Sequence, residues 1–180
     1  MVLTPGMHLT PLEHSAVADG TALSISGLFW ARPYFPSRSE RVALIARLVP
    51  GWAIATANTA GWMWTGMGSP LPFALLRPSR PAISPLAREQ WAAREFRAAH
   101  HGLARVGGFD CLDRTSTAQE IMSHGSDVDG SATQLLFLTH GEPPQQDWNH
   151  VRMSPARRRR ATQILARWAK LAEDYPDITR

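Results

Sequence analysis

Apolar residues recur at helical spacing in several stretches of the chain. The clearest stretch begins at Ser154-Pro155, a serine N-cap followed by proline at the first helical position, and it predicts a helix over residues 154–174. Similar spacing predicts helices that start near residues 37 and 114, and others over residues 56–65 and 131–139. Gly66 and Gly141 are the expected C-caps of the last two. The buried stripe of the last helix is expected to contain Ile164, Leu165, Trp168 and Leu171.

A strand followed directly by a helix is predicted at the centre of the chain. Gly107 and Gly108 allow the backbone to turn or pack closely, and residues 108–112 have the pattern of a short strand. Asp113 is placed to cap a helix that begins near Arg114, because its carboxylate can accept a bond from a first-turn N–H. We expect this corner to organise the fold.

Short apolar runs predict the remaining strands. Residues 21–30 follow Asp19-Gly20 and read as a turn and then a strand or hairpin arm, residues 73–77 read as a strand, and residues 91–99 fit either a strand or a helix. The predicted fold class is therefore α+β, with a small antiparallel or mixed sheet packed with about five helices. We expect an N-terminal lead-in and hairpin over residues 1–36 and a main domain over residues 37–180.

Composition narrows the class of protein. The 180 residues are 44% hydrophobic and 19% charged, as in a globular domain. A single cysteine excludes a disulfide framework. No apolar run has membrane-spanning length, and the first residues lack a charged segment followed by an apolar one. We therefore expect a cytoplasmic protein without a membrane partner.

The net charge of +4 is concentrated near the C-terminus, where four arginines are consecutive. Positive charge in the first turns of a helix opposes the helix dipole, so these arginines add nothing obvious to helix stability. Two interpretations remain open: a solvated face, or a binding surface for nucleic acid or an acidic protein. The candidate binding residues are Arg157, Arg158, Arg159 and Arg160.

Metal and cofactor sites are not predicted. Asp127 and Asp129 lie in an expected loop, residues 125–130, with too few oxygen ligands for calcium. The seven histidines include no pair with the spacing of one helical face, and His101 is expected at the surface beside His100. No phosphate-binding glycine-rich loop occurs. We expect no metal and no cofactor.

The segment Asp110-Cys-Leu-Asp-Arg-Thr115, with Gln119, is similar to the signature of Sac-type phosphoinositide phosphatases. Such enzymes need a cysteine thiolate five residues before the phosphate-binding arginine. Counting back from Arg114 places that position at Gly108, whereas Cys111 is three residues away and inside the predicted strand. A phosphatase-like enzyme is therefore a minor alternative, and a buried cysteine is the simpler interpretation.

The succession of elements resembles the AbiEi family of type IV antitoxins and transcriptional regulators, in particular its actinobacterial branch. The segments that carry the resemblance are Asp19-Gly20, Leu23-Ser-Ile-Ser-Gly-Leu-Phe29, Ser39-Glu-Arg-Val-Ala43, Pro50-Gly-Trp-Ala-Ile-Ala55, Thr59-Ala-Gly-Trp-Met-Trp-Thr-Gly66, Pro72-Phe73 and Gly107-Gly-Phe-Asp-Cys-Leu-Asp-Arg-Thr-Ser-Thr-Ala118. In that family a winged helix-turn-helix precedes a larger domain.

The resemblance implies a non-catalytic protein that neutralises a nucleotidyltransferase-like toxin and represses its own operon. It implies structural rather than catalytic roles for Thr59, Trp62, Arg114 and Thr115. Arg114 is expected to donate hydrogen bonds to backbone carbonyls or to a carboxylate. The residues before Asp19 are too few for the helices of a winged helix, of which only a wing-like hairpin remains. DNA contact would then depend on the late arginines and on phosphates.

Overall fold

The protein divides into two compact units, residues 1–37 and 38–180. The computed structural model describes residues 22–25, 28–31, 36–78, 84–86, 91, 93–98, 101–125, 127–144 and 153–173. The lead-in expected before residue 21 lies outside these residues. In the first unit, strands β1 (Ala22–Ile25) and β2 (Leu28–Ala31) pair antiparallel. This hairpin confirms the prediction for residues 21–30.

A five-stranded mixed sheet forms the second unit's framework. Its strands are β3 (Ile54–Ala55), β4 (Leu75–Arg77), β5 (Arg94–Glu95), β6 (Leu103–Val106) and β7 (Phe109–Leu112). Their order across the sheet is β5-β4-β3-β7-β6. The β3–β7 and β4–β5 pairs are parallel, whereas β3–β4 and β6–β7 are antiparallel. Strand β3 joins the parallel β4–β5 pair to the β6–β7 hairpin because it pairs with both β4 and β7.

The two central glycines form the turn between β6 and β7. Gly107 and Gly108 have φ angles of 56° and 83°, and Val106 pairs with Phe109 across the turn. Positive φ at both central residues favours a glycine pair in a two-residue hairpin. The predicted strand therefore begins at Phe109 rather than Gly108, and its partner β6 was missing from the prediction.

Five helices complete the described part of this unit. They are α1 (Arg38–Leu48), α2 (Ala57–Thr65), α3 (Arg114–His124), α4 (Val128–Thr139) and α5 (Pro155–Glu173). Together with the mixed sheet they confirm the predicted α+β class. None of the described helices combines the length and apolarity needed to cross a membrane.

One apolar cluster lies among the last three helices. Its buried members are Ala118, Ile121, Met122, Ala132, Leu135, Leu138 and Ile164, and partly buried side chains of Leu165, Trp168 and Leu171 pack against it. The predicted stripe of α5 is therefore the face that contacts α3 and α4. Burial of these side chains supplies the main driving force for this packing.

A buried amide network joins α2 to α4. Asn58 Nδ2 donates to Ser131 Oγ at 3.0 Å and to Gln134 Oε1 at 2.9 Å. Gln134 Nε2 donates to the carbonyl oxygens of Asn58, at 3.1 Å, and Met67, at 2.8 Å. Because buried amides must be hydrogen-bonded, the network fixes how these two helices align. Gly61 leaves the space that Gln134 occupies.

The expected loop over residues 125–130 is a helix start. The Asp127 carboxylate caps α4 by accepting a bond from Gly130 N at 2.6 Å, so the helix begins at Val128 rather than at Ser131. The prediction placed Gly130 at the end of the loop, whereas the Asp127 cap accommodates it in the first turn of the helix. At the other end His140, with φ of 54°, takes the C-cap position predicted for Gly141.

Candidate functional site

The corner at Asp113 is built from local hydrogen bonds. Asp113 Oδ1 accepts from Ser116 N at 2.7 Å, which satisfies a first-turn donor of α3. Arg114 donates through Nη2 to the carbonyl oxygen of Phe137 at 3.1 Å. A backbone carbonyl is one of the two kinds of partner expected for this side chain, the other being a carboxylate. Thr115 is exposed beside Arg114. The Arg114 bond connects the start of α3 to the last turn of α4.

A cleft of about 190 Å³ adjoins this corner. Its polar lining includes Arg114, Thr115 and Gln119, three residues of the phosphatase-like segment. Cys111 does not line it. The remaining lining residues are Ala118, Met122, Leu138, Thr139, Pro143 and Pro144. Among the described residues that line it, the cleft therefore has an apolar wall, one cation and no cysteine.

Burial decides the chemistry of Cys111. Its side chain is fully buried in β7, opposite Ala55 of β3. Burial, with a smaller contribution from the charge of Asp110, raises the pKa of the thiol to about 12. A thiol with that pKa is protonated at neutral pH, so Cys111 cannot act as a thiolate nucleophile.

Thr59 and Trp62 are buried parts of the framework. Thr59 Oγ1 donates to the carbonyl oxygen of Pro70 at 2.8 Å and accepts from Ala74 N at 2.8 Å, so it joins α2 to the chain that enters β4. Trp62 is 3% exposed. Two residues further along the chain, Trp64 is half-buried and donates through Nε1 to the carbonyl oxygen of Leu112 at 2.9 Å. All three side chains are occupied in holding α2 in place.

A buried ion-pair cluster surrounds Glu120 of α3, whose side chain is 8% exposed. Arg94 of β5 pairs with its Oε2 atom, and His101 Nε2 lies 3.1 Å from Oε1. Thr56 Oγ1 donates to Oε2 at 3.2 Å. His124 Nδ1 is 3.3 Å from Oε2, within electrostatic range but outside hydrogen-bond geometry. The cluster connects the sheet edge to α3.

The charge of Glu120 is stabilised by its neighbours. Burial alone would raise the pKa of this carboxyl, but contacts with His101, His124 and Arg94, together with the Arg94 charge, hold it well below the ordinary value. Glu120 is therefore ionised at neutral pH. Within the described residues, no group of three or more His, Cys, Asp or Glu side chains is arranged to hold a metal ion.

The prediction that His101 lies at the surface is wrong. Its side chain is 13% exposed, and its ring lies 5.8 Å from that of Phe96, centroid to centroid. One signal for this cluster exists in the sequence, because Glu120 and His124 have the spacing of one helical face. The contributions of Arg94 and His101 depend on the tertiary fold.

The four consecutive arginines are exposed in the first turns of α5. Every residue from Pro155 to Arg160 is exposed, whereas Ala161 and Ile164 are 2% and 0% exposed. Further along the outer face, Arg167 Nε lies 2.7 Å from Asp129 Oδ1, and both side chains are exposed. The candidate binding residues therefore form a basic helix end on the surface of the second unit.

Comparisons with known proteins find no match to this chain among protein-family models, curated proteins or solved structures.

Proposed function

We propose that this chain is a non-catalytic, antitoxin-like binding protein. The observation that carries the proposal is the distribution of its ionisable groups. Glu120, Arg94 and His101 are engaged with one another inside the fold, and the only cysteine is buried. The arginines of the α5 start are instead exposed. The ion-pair cluster and the cysteine therefore stabilise the fold, while the arginines form a positively charged surface for a partner.

The partner follows from the resemblance to the AbiEi family. We propose a nucleotidyltransferase-like toxin, bound in the cytoplasm, with regulation of transcription as the accompanying role. The burial of Thr59 and Trp62 supports structural roles for these two residues. The exposed residues 157–160 provide the basic surface that would contact an acidic part of the toxin.

The adjacent gene tests this proposal. It should encode a nucleotidyltransferase-like protein whose toxicity is relieved when the present chain is co-expressed, and the two proteins should co-purify. Replacing Arg157–Arg160 together by Gln should weaken the complex. The charge-matched control replaces four exposed basic residues elsewhere, namely Arg47, Arg97, Arg105 and Lys170. An unrelated adjacent gene whose product neither binds nor is neutralised would overturn the proposal.

Nucleic-acid binding through the start of α5 is the second candidate function. It is favoured by the exposure of four adjacent guanidinium groups where positive charge opposes the helix dipole. Phosphates would compensate that unfavourable charge and release their counterions, which makes binding strongly dependent on salt. Fluorescence anisotropy with a labelled duplex should show binding that weakens as salt increases. If the quadruple variant and its charge-matched control bind the duplex equally well, these arginines are not the DNA-binding site.

A further inference from the structure

The cleft beside the start of α3 is polar on one side and apolar on the other. Its polar lining residues are Arg114, Thr115, Gln119 and Thr139. Its apolar lining residues are Ala118, Met122, Leu138, Pro143 and Pro144. Residues four apart lie on one side of a helix, so Arg114, Ala118 and Met122 follow one another along α3 for about 12 Å. The cleft therefore runs from a charged end towards an apolar end.

The Arg114 guanidinium has donors left for a ligand. It carries five N–H donors, and the bond from Nη2 to the carbonyl oxygen of Phe137 uses one of them. That partner is neutral, and within the described part of the chain no carboxylate forms an ion pair with Arg114. Three acidic residues adjoin lining residues in the sequence, and none of them lines the cleft: Asp113, Glu120 and Glu142. The Arg114 end of the cleft therefore keeps its positive charge.

Two further polar groups in the cleft make no hydrogen bond to any described residue. They are the hydroxyl of Thr115 and the side-chain amide of Gln119. The Thr139 hydroxyl, by contrast, donates to the carbonyl oxygen of Leu136 at 3.4 Å. A hydroxyl and a primary amide can both donate to an anionic oxygen. Together with Arg114 they offer three donor side chains on two successive turns of α3.

We infer that the cleft binds a small organic acid, with the carboxylate on Arg114 and the apolar part of the molecule against the apolar lining. One cation compensates a monoanion. A phosphate monoester carries about two negative charges at neutral pH, and one of them would stay uncompensated beside apolar side chains. The volume of about 190 Å³ is below the roughly 300–1,000 Å³ of pockets for drug-sized ligands, so the acid is smaller than these. This site is separate from the proposed binding of a toxin or of nucleic acid.

The first experiment titrates hexanoate into the isotope-labelled, unchanged protein and follows backbone amide resonances. The amides of residues 114–122 and 138–142 should shift together and saturate. Hexanamide has the same shape without the charge and should bind about tenfold or more weakly, because it cannot form the charge-assisted bond to Arg114. Butyrate is two methylenes shorter and should bind about fivefold or more weakly, because it buries less apolar surface.

Variants of Arg114 test the charged end of the cleft. Arg114→Gln should weaken hexanoate binding about tenfold and leave hexanamide binding almost unchanged. Arg114→Lys keeps the charge and should restore part of the affinity for hexanoate. The matched control Arg47→Gln, at an exposed arginine of α1, should bind hexanoate as the unchanged protein does. The comparison of hexanoate with hexanamide uses the unchanged protein, so it decides the question even if an Arg114 variant loses stability with its Phe137 bond.

Four results would overturn the inference. Equal binding of hexanamide and hexanoate would show an apolar groove that does not recognise an anion. Tighter binding of hexyl phosphate than of hexanoate would assign the cleft to a phosphorylated ligand. Shifts confined to other parts of the chain would place the acid elsewhere. Absence of a saturable shift up to about 10 mM hexanoate would remove the site. None of these results bears on toxin binding, which concerns the arginines of α5.

Discussion

Arg94 Nη1 lies 3.0 Å from His124 Nε2, and this contact assigns the proton on the imidazole. A guanidinium group can only donate, so His124 Nε2 must accept and its proton must be on Nδ1. Nδ1 faces Glu120 Oε2 at 3.3 Å, where a proton is favourable beside the carboxylate. Arg94 and Glu120 thus select the same neutral tautomer from opposite sides of the ring.

Nuclear magnetic resonance can observe this tautomer. At neutral pH the imidazole nitrogen shifts of His124 should show a protonated Nδ1 and an unprotonated Nε2. Replacing Arg94 by Ala removes the donor and should move the Nε2 resonance. Arg105→Ala, at an exposed arginine of β6, should not. A protonated Nε2 in the unchanged protein would contradict the assignment.

Replacing Glu120 by Gln should destabilise the fold. The change removes the carboxylate that Arg94, His101 and His124 contact. Because the Arg94 side chain is 38% exposed and can be solvated, we expect a loss of about 1–3 kcal/mol. Urea unfolding would measure the loss. Glu142→Gln, at an exposed glutamate, should change stability by less than about 0.5 kcal/mol. Equal stability of the two variants would show that the cluster contributes nothing.

The same carboxyl predicts how stability depends on acid. Its folded pKa lies below the unfolded value of 4.5, so the unfolded state binds more protons in acid. The contribution of Glu120 to stability is therefore fully present above about pH 5 and declines as pH falls towards the folded pKa. The stability difference between the unchanged protein and Glu120→Gln should shrink as the pH falls from about 5 to below about 4. A difference that grows with acidification would reverse this sign.

Replacing Gly61 by Ala should destabilise the protein, although alanine is the better helix former. An added Cβ would lie 2.5 Å from Gln134 Oε1 and 2.9 Å from Ile121 Cδ1. Gln134 cannot move away without giving up bonds to Asn58, so we expect a loss of about 1–3 kcal/mol. Gly51→Ala, which meets nothing within 4 Å, is the control for thermal or urea unfolding. A stabilised Gly61→Ala protein would mean that α2 and α4 are not closely packed there.

Cys111 should be unreactive in the folded protein. Its side chain is inaccessible and its pKa is raised to about 12, so a thiol reagent should label it only after unfolding in denaturant. The variant Ala169→Cys, at an exposed position of α5, supplies a thiol that should react at once in the same assay. Rapid labelling of Cys111 in the unchanged protein would reopen the phosphatase-like alternative.

Local signals in the sequence were enough to predict several elements. The Ser154 cap of α5, the Asp113 cap of α3 and the Gly66 C-cap of α2 all act within one turn of chain. Each satisfies backbone groups that a helix end leaves open, so it depends on neighbouring residues alone. The α+β class follows from such local patterns. The Gly107–Gly108 pair also indicated a hairpin, but the strand that precedes this pair, β6, was not predicted.

The sequence by itself determined where α2, α3 and α5 begin and which arginines share the start of α5, because these properties depend on residues a few positions apart. Only the tertiary structure decided what Glu120 contacts, since Arg94 and His101 reach it across 26 and 19 residues of chain. It also decided that Cys111 is buried and that Arg157 is exposed. A helical stripe predicts which side of α5 packs, but the position at which that packing stops is set by the elements it meets.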